Sequence, residues 1–225
     1  MTGAADLEAE RRDLIESLRR LGVEDARVLA AIERVPREEF LPEAFQDRAY
    51  RNLALPIGHQ QTISQPWVVA RMTEALALSD RSKVLEVGTG CGYQSAVLAI
   101  LCRRVYTIER HKGLLEDAKL RFRRYGLTNI TAKLGDGSLG WPEQAPFERI
   151  IVTAAAEDIP PVLLDQLAPG GIMVVPVGHS GRQGGGNDAG DQRLYRVVKG
   201  PLGIEIDDMG EVRFVPLVAG VAEPA

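Results

Sequence analysis

The stretch Val84-Leu85-Glu86-Val87-Gly88-Thr89-Gly90-Cys91-Gly92-Tyr93-Gln94 has the residue types and spacing of a loop that cradles a small, charged ligand. A short apolar run turns through Gly88, Gly90 and Gly92 and enters a helical pattern. Glycines at such a turn let the backbone approach a ligand and adopt dihedrals that a β-carbon forbids. A second run, Arg104-Val105-Tyr106-Thr107-Ile108, ends in Glu109. A carboxylate there can accept both hydroxyls of an adenosine ribose. A third run, residues 130–134, leads into Gly135-Asp136-Gly137. Glu86, Gly88, Gly90, Gly92, Glu109, Asp136 and Gly137 are therefore the candidate cofactor residues, supplied by three consecutive strand ends.

The spacing discriminates between cofactors. A dinucleotide loop carries G-x-G-x-x-G and seats pyrophosphate on a helix N-terminus. Here Tyr93 occupies the position of the third glycine and Gly92 comes one residue early. Glu86 adds an acid at the strand end, unfavourable beside pyrophosphate and favourable beside a sulfonium and an α-ammonium. The pattern favours S-adenosyl-L-methionine, leaving as S-adenosyl-L-homocysteine, over NAD. A tight turn without a ligand would need the glycines but not three acids in register.

These residues need a sheet to hold them. Apolar and polar runs alternate as strand 84–88, helix 93–102, strand 104–108, helix 112–124, strand 130–134, strand 149–153, helix 160–167 and strand 172–177. That order predicts an α/β fold with a doubly wound, mostly parallel sheet. Helices are expected over 7–21, 25–35 and from Pro66 to residue 78, with an irregular segment over 52–66. Residues 178–192 are rich in Gly, Asp and Ser and read as a mobile loop. Residues 194–199 and 212–218 read as a closing antiparallel hairpin. The expected organisation is one domain over 1–225: helices and a substrate loop to residue 80, a donor-binding core over 81–177, and the hairpin over 193–218.

A net charge of −4 argues against a general nucleic-acid binder, whose balance is usually basic. Cys91 and Cys102 have neither zinc spacing nor a C-x-x-C partner, so free thiols in a reducing compartment are expected and no metal site is. The acidic, polar start lacks a signal-peptide pattern, and no apolar run reaches membrane-spanning length. The expectation is a cytoplasmic monomer.

With these motifs in place, the chain closely resembles the protein-L-isoaspartate (D-aspartate) O-methyltransferases over about residues 35–217. Four stretches carry the resemblance: Arg37-Glu38-Glu39-Phe40-Leu41-Pro42; Pro56-Ile57-Gly58 with Gln61-Thr62-Ile63-Ser64-Gln65-Pro66; the glycine loop; and Phe214-Val215-Pro216-Leu217. The glycine loop alone would mark only a class I methyltransferase. The resemblance implies a seven-stranded, Rossmann-like sheet whose last two strands exchange places relative to most class I methyltransferases. It also implies methyl transfer to the free α-carboxylate of L-isoaspartyl residues in damaged proteins and peptides. Repair then proceeds through a succinimide. By position, Ser64 is the active-site serine, and Gln61, Thr62 and Ile63 line the substrate pocket with it. Gln60 stands where the family usually has a small residue, and Cys91 where it usually has Ser or Thr.

The implied chemistry suits these residues. A carboxylate is already ionised at neutral pH, so no strong base is needed. His59, His111 and His179 form no Ser-His-Asp pattern. Ser64 would orient the acceptor by hydrogen bonding, although it also reads as a helix N-cap before Pro66. Competing functions remain. A base-modifying enzyme would carry Asn/Asp-Pro-Pro-aromatic after the fourth strand, where Thr153-Ala154-Ala155-Ala156 stands. A carboxyl methyltransferase acting on ordinary aspartate of a ribosomal peptide or another small acceptor is the nearest alternative. A donor-binding protein without activity would lack Thr62-Ile63-Ser64, and a dehydrogenase would need the other glycine spacing.

Overall fold

The computed structural model describes residues 4–179 and 192–223. Most of the glycine-rich loop expected over 178–192 lies outside the described residues. The frame is a seven-stranded sheet built from β3 (Lys83–Val87), β4 (Arg104–Glu109), β5 (Ile130–Leu134), β6 (Phe147–Val152), β7 (Leu167–Val177), β8 (Arg193–Gly200) and β9 (Gly203–Glu211). The order across the sheet is β5-β4-β3-β6-β7-β8-β9. The first five strands pair in parallel, and β8 and β9 are antiparallel additions. The last strands thus follow chain order, with β9 at the edge, as the resemblance implies.

Strands built after β3 first march outward to β5, and the chain then returns to lay β6 on the opposite side of β3. The loop after β3 therefore sits at the switch point, where a crevice opens beyond the strand ends. Helices α4 (Tyr93–Leu101) and α5 (Lys112–Arg124) cross on one face, and α6 (Pro161–Asp165) on the other. Successive strand residues alternate between the two cores, as the pleat requires. Val84, Ile151, Ile172 and Val174 face the helix-rich core, while Leu85, Ile150, Met173 and Val175 face the core under α6.

Helices α1 (Ala4–Arg20), α2 (Ala26–Arg34) and α3 (Pro66–Ala75) pack onto the face that carries α4. Asp25 caps α2 by accepting from the Arg27 and Val28 backbone N–H groups. The segment expected to be irregular contains a hairpin instead, β1 (Leu55–Gly58) with β2 (Gln61–Ile63). Its two-residue turn, His59-Gln60, has φ of 50° and 57°. Two positive φ values mark the turn type that matches strand twist. Non-glycine residues hid that turn from the sequence.

A second difference concerns the C-terminus. The strand expected over 212–218 is absent, and β8 pairs with β9, so the hairpin spans 193–211. Residues 212–222 form a strap instead. The Ala155 N–H donates to the Val215 carbonyl and the Leu217 N–H to the Ala155 carbonyl. Further on, the Ala222 N–H reaches the Arg110 carbonyl and the Gly220 N–H reaches Asp136. The strap crosses the strand ends that carry the glycine loop. Pro216, which cannot donate to a ladder, fits a strap better than a paired strand.

Two features of the glycine loop have consequences for stability. Gly92 has φ +90°, and a β-carbon there would lie 2.7 Å from Phe122 Cε1. Gly92→Ala adds left-handed strain and overpacking, about 2–4 kcal/mol together. The expected melting-temperature loss is roughly 4–16 °C at this chain length. Thermal unfolding with and without donor checks this; unchanged melting with weakened donor binding would make Gly92 a ligand residue.

Glu86 is fully buried, and its Oε2 accepts from the Ser95 hydroxyl while Oε1 has no hydrogen-bond partner among the described residues. Burial pushes its carboxyl up from 4.5 to about 8, against the opposing Ser95 hydrogen bond. The folded chain therefore holds a proton that the unfolded chain releases between those values. This group's contribution to stability falls as pH rises through that window and levels off above it. Glu86→Gln should gain on the wild type between about pH 5 and 8, by on the order of a few kcal/mol. Denaturant unfolding of both proteins across that range measures the difference, and a pH-independent difference would contradict it.

Candidate active site

The strand ends at the switch point open into a cleft of about 800 Å³ of empty volume, part of it open to solvent. Its wall includes Gly88, Thr89 and Gly90 after β3, Glu109, Arg110 and His111 after β4, Gly137 after β5, and Thr153 after β6. Gly88 is required here twice over. Its φ is +99°, and an added β-carbon would lie 2.3 Å from Thr153 Oγ1. That hydroxyl donates to the Val87 and Gly88 carbonyls, tying the β6 end to the loop.

Glu109 is 4% exposed and organises this wall. Oε2 accepts from the Gly90 N–H at 2.8 Å, and Oε1 accepts from the His111 N–H at 2.9 Å. Its backbone carbonyl accepts from the Gly135 N–H. A carboxylate offers about four lone-pair sites. Two are used, and two remain for a vicinal diol in the cleft. A carboxylate for the ribose hydroxyls, open backbone at Gly88 and Gly90, and apolar walls from Val87, Ile108 and Leu217 form a set that fits S-adenosyl-L-methionine.

A second groove, lined by Asn52, Trp67, Arg213, Phe214 and others, adjoins the first. Thr62, Ser64, Thr153 and Val215 line both. Ser64 therefore stands at the junction, half-buried, with its hydroxyl free of protein hydrogen bonds among the described residues. It caps no helix. The α3 cap position is Gln65, without a side-chain bond, and the Trp67 N–H is served by Asn52 Oδ1 at 3.0 Å. Gln61 and Ile63 line the first cleft beside it. Gln60 is exposed and lines neither space. His59 lies beside His111, with ring centroids 5.3 Å apart and the planes tilted by 36°.

The sequence-predicted residues thus divide. Gly88, Gly90, Glu109, Gly137, Gln61, Thr62, Ile63 and Ser64 converge on the cleft. Glu86, Gly92 and Asp136 do not line it. Glu86 lies in the core, where desolvation favours its neutral form, so it offers no anion to a sulfonium. Gly92 packs on Phe122, and Asp136 accepts from Ser138 and the Gly220 N–H, anchoring the strap. Thr153, Arg110, His111 and Val215 also line the cleft, a place that sequence alone assigns to none of them. Arg110 and His111 directly follow Glu109, a position that could have flagged them.

The family model for Protein-L-isoaspartate(D-aspartate) O-methyltransferase matches residues 9–222. A Protein-L-isoaspartate O-methyltransferase of Paramagnetospirillum magneticum is 59% identical over 93% of this chain and 95% of its own. That of Parvibaculum lavamentivorans is 56% identical over 96% of this chain and 95% of its own. Among solved structures, one protein-L-isoaspartate O-methyltransferase superposes with a TM-score of 0.81 at 28% identity, covering 94% of this chain and 67% of the other. A Plasmodium falciparum structure bearing the same name, in complex with S-adenosyl-L-homocysteine, gives 0.75 at 26% identity over 92% and 98%. With a family model matched over residues 9–222 and relatives of this identity over nearly the whole length, the chain belongs to the protein-L-isoaspartate (D-aspartate) O-methyltransferase family.

Proposed function

We infer that the protein transfers a methyl group from S-adenosyl-L-methionine to the free α-carboxylate of L-isoaspartyl residues in damaged proteins and peptides. The ester then closes to a succinimide, which reopens in part to normal aspartate. The observation that carries this reading is the position of Ser64, at the junction of a donor-shaped cleft and a second groove. When bound, the donor supplies an electrophilic methyl group on a sulfonium.

The chain's own residues bind and orient. Glu109 accepts the ribose hydroxyls on its two remaining lone-pair sites, and Gly88 and Gly90 let the donor approach the backbone. Gly137 and the strap residues Val215 and Leu217 complete the cleft wall. The acceptor enters through the second groove. Gln61, Thr62 and Ile63 flank it, and the Ser64 hydroxyl donates to the acceptor carboxylate. That carboxylate is ionised without a base, so positioning and exclusion of water supply the rate. Glu86, Gly92 and Asp136 act through the loop and strap they hold. The net charge of −4 supports protein acceptors over nucleic acid. No described helix is long and apolar enough to cross a membrane. We read the protein as a single-domain, cytoplasmic monomer.

Labelled methyl transfer to matched peptides tests the reading. Isoaspartyl peptides should be methylated and their aspartyl twins not, because a pocket built for one backbone route leaves polar groups unpaired with the other. Strong labelling of ordinary aspartyl peptides would favour the peptide-modifying alternative.

Glu109→Ala should weaken S-adenosyl-L-homocysteine binding by about 10- to 150-fold, the value of about 1.5–3 kcal/mol for a hydrogen bond to a charged group. Calorimetry on the folded variant reads this directly, and unchanged affinity would remove Glu109 from the donor site. Ser64→Ala should cut kcat/KM for an isoaspartyl peptide by about 10- to 100-fold while leaving donor affinity and melting temperature near wild type. Wild-type turnover in that variant would show that the hydroxyl takes no part.

A further inference from the structure

Arg37 opens a short 3-10 turn, Arg37–Phe40, and is fully buried. Its Nε donates to the Ala49 carbonyl at 2.8 Å, and its Nη2 donates to the Ser64 carbonyl at 2.8 Å and more weakly to the Leu53 carbonyl at 3.5 Å. The guanidinium lies over the Tyr93 ring, 4.9 Å from its centroid, and Tyr93 lines the donor cleft. Nη1 is buried, with no hydrogen-bond partner in ideal geometry among the described residues.

The groups this guanidinium meets are neutral: three backbone carbonyls and the Tyr93 hydroxyl. Among the described residues no carboxylate pairs with it. The adjacent acid, Glu38, is engaged by Arg11 at 3.1 Å and by the Tyr50 hydroxyl. A guanidinium stays charged even when buried. A buried charge without a counter-ion is costly to hold, and an anion brought within reach offsets that cost. The nearest functional position is Ser64, one hydrogen bond away.

We propose that Arg37 is a positioning residue for the acceptor, fixing the Ser64 backbone and supplying the buried positive charge that draws the isoaspartyl α-carboxylate to the junction of the two clefts. This rests on the function proposed above. It separates Arg37 from a strut that only ties three carbonyls together. A strut would matter equally to charged and neutral acceptors, whereas a counter-charge matters only to the charged one.

The test uses the protein saturated with S-adenosyl-L-homocysteine, which allows binding without turnover. Calorimetry compares an isoaspartyl peptide bearing the free α-carboxylate with the same peptide bearing an α-carboxamide. Wild type should prefer the carboxylate. Arg37→Gln should lose on the order of tenfold in affinity for the carboxylate peptide, as one unit charge acting through a partly screened interior implies. Its affinity for the carboxamide should fall by clearly less, the part that fixing the Ser64 backbone contributes. Arg37→Lys should keep the preference. Equal loss for both peptides overturns the proposal and leaves a strut.

A measurement on the wild type needs no variant to fold. The carbon-13-labelled α-carboxyl of the bound peptide should titrate about one unit below its free value. Titration at or above the free value overturns the proposal. If the wild type methylates no isoaspartyl peptide, the functional reading itself fails; if it does and the carboxylate preference survives Arg37→Gln, only the role of Arg37 fails.

Discussion

The Glu109 carboxylate is the contact on which the site depends. It receives the Gly90 N–H on one oxygen and the His111 N–H on the other, and so binds the loop after β3 to the start of α5. The same strand end holds the loop again through the Ile108 carbonyl, which accepts from the Gly88 and Thr89 N–H groups. A third strand joins through the Gly135 N–H on the Glu109 carbonyl. Three strand ends are locked to one residue by protein contacts alone.

Glu86 and Glu109 lie on neighbouring strands and have opposite fates. Glu86 is sealed in the core, meets one hydroxyl, and is driven toward its neutral form by desolvation. Glu109 meets two backbone N–H groups and opens on the cleft. Burial that strips a carboxyl of water opposes its ionisation, as at Glu86. Environment, not residue type, decides which acid can serve a ligand. The strap adds a lid of backbone, pinned by Asp136 through the Gly220 N–H.

The alternating strands and helices were readable from the chain because each carries a strong period and runs between clear turn residues. The glycine loop and Glu109 could be placed at the cleft for the same reason. What sequence missed depended on long-range contacts. The β1–β2 hairpin turns on His59 and Gln60, whose positive φ no local pattern announces. The strap over 212–222 has strand-like composition, but its partners are Ala155, Arg110 and Asp136, set by tertiary packing. Asn52 serving the α3 N-terminus displaces the nearby Ser64, which frees that hydroxyl. Glu86 was expected to face the ligand because its charge was assumed, and burial removes the charge. Arg37 lay in plain view within a recognised motif, yet only its burial and its bond to Ser64 give it meaning.

A structure of the protein with S-adenosyl-L-homocysteine tests the central claim most directly. Both ribose hydroxyls should lie within hydrogen-bond distance of the Glu109 carboxylate, with the Gly90 and His111 N–H groups still bound to it. A donor whose ribose lies away from Glu109, or a loop that abandons Glu109 to accept it, would contradict the claim that this carboxylate holds both the loop and the ligand.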